Sequence, residues 1–170
     1  MNQSEQLSIY QQWVDQYKIM IFKVVRAYTF SELDENDLFQ EISIQLWRSI
    51  PSFRKESRES TWIYRIALNT AIKWERDQRN HHTGKEVLDY SKHLLTQPET
   101  RIDDRLQWIY SELKKLNKVD RSICLLMLDG FSYTEISNIL GITESNVGVK
   151  IYRIKKYLKK QSKNYPSNGN

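Results

Sequence analysis

The 170-residue sequence is 39% hydrophobic and 28% charged, with five glycines, three prolines and a mean hydropathy of −0.66. These values fit an ordered, soluble protein of one or two small domains and exclude a membrane span, a collagen-like chain and a low-complexity polymer. Twenty-six Lys and Arg against twenty-one Asp and Glu give a net charge of +5, which favours an acidic partner without naming it.

The scarcity of Gly and Pro, and the absence of long alternating β-branched runs, predict an all-α chain. Helices are expected at roughly residues 5–29, 35–49, 60–80, 102–116, 119–129, 133–140 and 144–162, with boundaries good to about 2 to 4 residues. The start, MNQSEQLSIYQQW, has neither a basic leader nor an apolar core, so the expected compartment is the reducing cytoplasm.

The second helix carries LDENDLFQEISIQLW. Asp34 is expected to cap it, with Asp37 at the third position and Leu33 stapled to Leu38. Leu38, Phe39, Ile42, Leu46 and Ile50 form its inward stripe. The opposite arc holds Asp37, Gln40, Glu41, Ile44 and Arg48, and so mixes an isoleucine with polar groups. It belongs to an acidic run, Glu32, Asp34, Glu35, Asp37 and Glu41, with no base among them. Such a face suits docking to a protein and repels a polyanion.

The loop PSFRKESRES sets Arg54, Lys55 and Arg58 close to Phe53. In the third helix, STWIYRIALNTAIKWERDQRN, one arc holds Ile63, Ile66, Ala67, Thr70 and Trp74, and another holds Trp62, Arg65, Asn69, Lys73 and Arg76. A ring that can stack on a base, an amide that can read an edge and cations that can hold phosphates suit single-stranded or melted DNA. Large aromatics are more often core than platform, and that weighs towards burial for Phe53 and Trp62. The following polar stretch, with Gly84 and Pro98, cannot maintain one apolar stripe and reads as a linker. It separates an N-terminal three-helix unit from a C-terminal four-helix unit.

In the second unit Cys124 sits in the apolar run ICLLML and reads as a buried core residue. Ser132 and Glu135 form a capping-box pattern, Ile136, Ile139 and Leu140 face inward, Gly141 ends the short helix, and Thr143 caps the next. Along that last helix Val147, Ile151, Ile154 and Leu158 share a narrow arc, while Asn146, Val149, Lys150, Arg153, Lys156 and Lys160 gather opposite. From Lys150 to Lys163 there are seven bases and no acid. Short helix, tight turn and long basic helix make a helix-turn-helix, whose second helix can enter a major groove with Asn146, Val149, Lys150 and Arg153 towards the bases.

Three stretches carry a resemblance: DENDLFQEISIQLW, then FRKESRESTWIYRIALNTAIKWERDQRN, then DRSICLLMLDGFSYTEISNILGITESNVGVKIYRIKKYL. In that order they resemble bacterial RNA polymerase sigma factors of the extracytoplasmic-function group of the sigma-70 family, over nearly the whole chain. The resemblance implies sigma domain 2 at residues 1–80, a linker at 81–101, sigma domain 4 at 102–163 and a disordered tail at 164–170. It implies a promoter-specificity subunit whose Asp37, Gln40 and Glu41, with Ile44 and Arg48 on the same arc, dock the clamp helices of the largest subunit of core RNA polymerase. By the same resemblance the flap region would be a second contact. The loop 52–60, with Phe53, Arg54, Lys55 and Arg58, together with Trp62 and Asn69, would accept a flipped base of the minus-ten element. Arg65, Lys73 and Arg76 would hold its backbone.

By the same resemblance the helix from Glu144 would read the minus-thirty-five element with Ser145, Asn146, Val149, Lys150, Arg153 and Lys156. The linker would run through the polymerase interior towards the RNA exit path. An anti-sigma factor is a further partner that the family often uses, and no membrane insertion is implied. The sequence departs from the family at Asn146, where Thr is usual, and at Gly148 and Val149, where Lys or Arg and Ser are common. Those departures bear on the upstream sequence preference and not on the fold.

Two other functions fit parts of the sequence. A stand-alone helix-turn-helix regulator of duplex operators accounts for the basic final helix but leaves the faces of helices two and three without a role. An enzyme built on His81, His82 and His93 lacks a rigid surround, since neighbouring histidines point in different directions on a helix. No catalytic residue, metal or cofactor is therefore expected.

Overall fold

In the computed structural model, which describes residues 2–81 and 103–165, Asn2 opens the first helix with a reciprocal cap. Its side chain accepts the Glu5 N–H at 2.8 Å, and the Glu5 carboxylate accepts the Asn2 N–H at 3.0 Å. Helix α1 (Gln3–Tyr28) ends where Thr29 turns extended and its buried hydroxyl donates back to the Val25 carbonyl at 2.8 Å. Helix α2 (Glu32–Ser49) follows, and a 3-10 turn at Ile50–Ser52 with Pro51 in its first positions leads towards α3 (Glu59–His81).

The start of α2 corrects the sequence expectation. Ser31, with φ −141° and ψ 159°, is the cap, and its hydroxyl accepts the Asp34 N–H at 3.2 Å. Asp34 lies inside the first turn, where a carboxylate still favours the positive end of the helix. With Ser31 as cap, the stapling positions fall on Phe30 and Glu35, so the Leu33–Leu38 staple is absent. Leu33 is exposed while Leu38 is fully buried.

The three helices pack on one another around Trp13, Ile21, Val25, Tyr28, Leu38, Ile42, Leu46, Ile63, Tyr64 and Leu68. Phe22 stacks on Phe39 with ring centroids 4.7 Å apart, and Tyr10 meets Trp47 edge-on at 5.6 Å. The inward stripe of α2 is as expected. That of α3 is wider and turned: Tyr64, Leu68, Ala71 and Glu75 are buried, while Ile66 and Trp74 are half-buried. Packing against both α1 and α2 gives α3 two inward directions, where a single-stripe reading supplies one.

Helices α4 (Asp104–Lys115), α5 (Lys118–Leu128), α6 (Tyr133–Leu140) and α7 (Glu144–Ser162) follow, and the chain divides into two compact units, Met1–Gln107 and Trp108–Asn170. In the second unit α5, α6 and α7 close on Ile123, Leu126, Ile136, Ile139, Val147, Ile151 and Ile154. Cys124 is buried as expected, and burial pushes its thiol pKa up to about 11. The buried Arg121 guanidinium donates to the carbonyls of Leu113, Lys114 and Leu116 at 3.2, 3.3 and 3.1 Å, satisfying the C-terminal end of α4. Tyr165, placed in the expected loose tail, instead sits in a turn with its ring 5.5 Å from Trp108. Of the predicted linker at 81–101, His81 is the last residue of α3, and residues 82–101, with His82 and His93, lie outside the described residues, as does the tail from 166.

Candidate protein and nucleic-acid interfaces

Between α2 and α3 runs an open groove of about 520 Å³. Its walls are Asp37, Glu41 and Gln45 from one helix, and Asn69, Lys73, Trp74 and Asp77 from the other. Asp37 accepts the Trp74 Nε1–H at 2.7 Å, and Glu41 accepts from the Gln45 side-chain amide at 2.8 Å, one helical turn on. Asp37, Gln40, Ile44 and Arg48 are exposed, Ile44 at 39%. Glu41 is half-buried. The sequence treats the acidic arc of α2 and the polar arc of α3 as separate faces. Packing sets them on opposite walls of one groove, with Asn69 also lining a smaller hollow of about 320 Å³ beside Arg48, Ser49 and Ile66.

Trp74, Gln45 and Asp77 are among the groove residues that pattern reading missed. Trp74 falls on the apolar arc by spacing, and only the partner for its indole N–H shows that its edge is polar. Gln45 carries a local signal, four residues after Glu41 on the same face.

Around the loop 52–60 the aromatic residues are built into one another. Phe53 lies 5.3 Å from Trp13 and 5.6 Å from Trp62 by ring centroids, and Trp62 donates its Nε1–H to the Ser49 hydroxyl at 3.3 Å. Both Phe53 and Trp62 are half-buried. Arg54, Lys55 and Arg58 stand exposed on the loop, and Lys55 has φ +59°, the left-handed region that favours glycine. On α3, Asn69, Lys73 and Arg76 are exposed, with Arg76 3.4 Å from Asp77, whereas Arg65 is half-buried and engaged within the fold.

The helix-turn-helix follows its local signals closely. The Ser132 hydroxyl accepts the Glu135 N–H at 3.2 Å and the Glu135 carboxylate accepts the Ser132 N–H at 2.8 Å. Gly141 takes φ +68°, and Thr143 accepts the Asn146 N–H at 3.2 Å. Val147, Ile151 and Ile154 seat α7 on its neighbours, leaving Ser145, Asn146, Val149, Arg153 and Lys156 exposed, with Val149 at 47%. Tyr152, which the sequence reading passed over, is exposed at 68%. Lys150 departs from the expected open face. Its ammonium lies 2.7 Å from the Asp120 carboxylate of α5, and the two side chains are only 24% and 23% exposed.

Among the described residues no helix is long and apolar enough to cross a membrane, and no group of three or more His, Cys, Asp and Glu could hold a metal ion.

Comparison with known proteins agrees with the two-unit layout. Residues 13–81 match the family Sigma-70 region 2, and residues 106–158 match Sigma-70, region 4. The chain is 29% identical over 163 residues to the ECF RNA polymerase sigma-E factor of Haemophilus influenzae, covering 85% of this chain and 82% of that protein. To the ECF RNA polymerase sigma-E factor of Escherichia coli K12 it is 30% identical over 157 residues, covering 82% and 79%. The fold is similar to the sigma factor RpoE solved with the anti-sigma factor NepR from Bartonella quintana, with TM-score 0.68, 17% identity and coverage of 91% and 96%. It is also similar to a structure of CnrH in complex with the cytosolic domain of CnrY, with TM-score 0.66, 19% identity and coverage of 92% and 88%.

Proposed function

Because the chain belongs to the extracytoplasmic-function group of the sigma-70 family, the promoter-specificity subunits of bacterial RNA polymerase, we propose that its two units divide the work of promoter recognition between them. Sigma domain 2, residues 1–80, docks core enzyme through the acidic arc of α2 and captures melted minus-ten DNA along α3 and the loop 52–60. Sigma domain 4, residues 102–163, reads the minus-thirty-five duplex through α7. The segment 81–101 joins them.

The observation that carries this reading is the groove between α2 and α3, where one wall offers Asp37 and Glu41 and the other offers Asn69 and Lys73. A protein that only bound duplex operators would have no use for a second, chemically opposed surface on its other unit. From α2, Asp37 and Glu41 on the groove wall, with Gln40, Ile44 and Arg48 on the same helix, meet the clamp helices of the largest polymerase subunit. From α3, Asn69 hydrogen-bonds an extruded base and Lys73 and Arg76 neutralise phosphates. Arg54, Lys55 and Arg58 add charge at the loop, and Phe53 and Trp62 wall the base pocket.

Capturing unpaired bases offsets part of the few kcal/mol that each unstacked step costs. Core polymerase holds both units at once, so two weak DNA contacts act as linked sites, and the chain alone binds promoters weakly. The family works as non-catalytic initiation factors, and this chain supplies specificity, leaving polymerisation to its partner. It acts in the cytoplasm, where polymerase and promoter are. An anti-sigma factor is a further partner, by analogy with the Bartonella quintana protein solved with NepR.

The test is assembly with purified core RNA polymerase. Asp37→Lys with Glu41→Lys should abolish co-purification with core and promoter-dependent transcription while leaving the helical circular dichroism unchanged. Since Asp37 also accepts the Trp74 N–H, Trp74→Phe serves as control: it removes that hydrogen bond, keeps the charge and should retain core. Undiminished core binding by the doubly reversed protein would end the docking assignment.

A further inference from the structure

Lys150 sits on α7 at the border between two arcs. At about 100° per residue, Asn146, Arg153 and Val149 lie within roughly 100° on one side of it, and Ile154, Val147 and Ile151 lie within roughly 100° on the other. The first group is exposed and the second buried. At this border its ammonium reaches the Asp120 Oδ1 at 2.7 Å.

Asp120 is itself tightly held. Its Oδ2 accepts from the Asn117 side-chain amide at 2.7 Å. The Asn117 side-chain oxygen accepts the N–H groups of Val119 and Asp120, at 3.1 and 3.0 Å, as the cap of α5. Both carboxylate oxygens are therefore occupied by groups from two directions. With each side chain only about a quarter exposed, the pair differs from the solvent-screened surface pairs that contribute little.

We propose that Asp120 is a positioning residue for DNA reading: by holding Lys150 it withdraws one cation from the phosphate backbone and fixes the rotation of α7 that presents Asn146, Val149 and Arg153 to the bases. The proposal rests on the assignment of α7 as the minus-thirty-five reader. On this account the basic stripe of α7 contains two kinds of lysine. Those further along, such as Lys156, are exposed and act on phosphates, while Lys150 is spent inside the protein on orientation. A cation released from Asp120 adds affinity for any duplex and, by loosening the rotation of α7, lowers the preference for one sequence.

The experiment measures, for the full chain assembled with core RNA polymerase, binding to duplexes carrying the upstream element or a scrambled sequence, as a function of salt. Asp120→Asn should steepen the slope of log affinity against log salt by about 0.9, the value for one added phosphate contact. It should also cut the preference for the upstream element on the order of fivefold or more, the lower end of one base contact. Lys150→Met alone should leave the slope unchanged while lowering the preference. In the double variant Asp120→Asn with Lys150→Met the slope should return to its starting value. A double variant that stays steep would mean that removing an acid, and not releasing Lys150, strengthens binding, which overturns the proposal. A slope that falls by about 0.9 in Lys150→Met overturns it as well, since Lys150 would then be a phosphate contact. Arg153→Ala tests the underlying assignment separately: no change in duplex preference there removes α7 as the reader and the positioning role with it.

Discussion

Glu112 is a buried carboxylate on α4 held by two donors, the Lys115 ammonium at 2.7 Å and the Tyr157 hydroxyl at 2.8 Å. Burial pushes its pKa up, and the two hydrogen bonds with the Lys115 charge more than reverse that, leaving it below the ordinary value. A depressed folded pKa means stability that is present above the unfolded glutamate range and lost as pH falls through the folded value. Thermal melts should therefore show the second unit losing stability as pH drops below about 4.5, the ordinary glutamate value, and Glu112→Gln should flatten that acid limb. A limb of unchanged steepness in Glu112→Gln would assign the acid sensitivity to other carboxylates. Tyr157 works in the opposite sense: burial, then the Glu112 hydrogen bond and charge, raise its pKa, so its share is present below the ordinary tyrosine value and lost above the folded one. The Lys115 partner, three residues on, is a local i,i+3 signal, but the burial of Glu112 and its second donor, Tyr157 from 45 residues away, are not readable from pattern.

At the scale of elements, the turn between α6 and α7 depends on two local devices whose loss should be measurable in urea. Ser132→Ala removes the reciprocal cap and should cost about 1 kcal/mol. Gly141→Ala forces a Cβ into φ +68° and should cost on the order of 1–2 kcal/mol. Nothing lies within 4 Å of that added atom, so the cost is backbone strain alone. Unfolding free energies lowered by less than a few tenths of a kcal/mol would mean that α5 and α7 position α6 without help. These devices are legible in sequence because each is completed within a few residues. The start of α2 was not. In SELDEND a hydroxyl and several carboxylates could each cap, and the choice falls on Ser31 because α1 and Thr29 deliver that residue in extended conformation.

For the molecule as a whole, the proposed division of labour predicts separable losses. Replacing Arg153 and Lys156 with Ala should weaken dependence on the upstream element, and the salt slope should fall by about 0.9 for each phosphate that is no longer neutralised. Core association should be unaffected. Loss of core binding in this variant would mean that α7 touches the enzyme.

The amphipathic repeats, the cap at Ser132 and the glycine at 141 were enough to specify the helices of the described residues and the helix-turn-helix, because each signal lies within a short reach of chain. Which faces meet was settled by packing. The groove sets Asp37 against Trp74, 37 residues apart, and α5 draws Lys150 from the exposed face of α7 to Asp120, 30 residues away. Periodicity assigns a side chain to an arc of its own helix. Whether that arc meets solvent, a neighbour's carboxylate or a groove wall depends on helices packing at angles that no local repeat encodes.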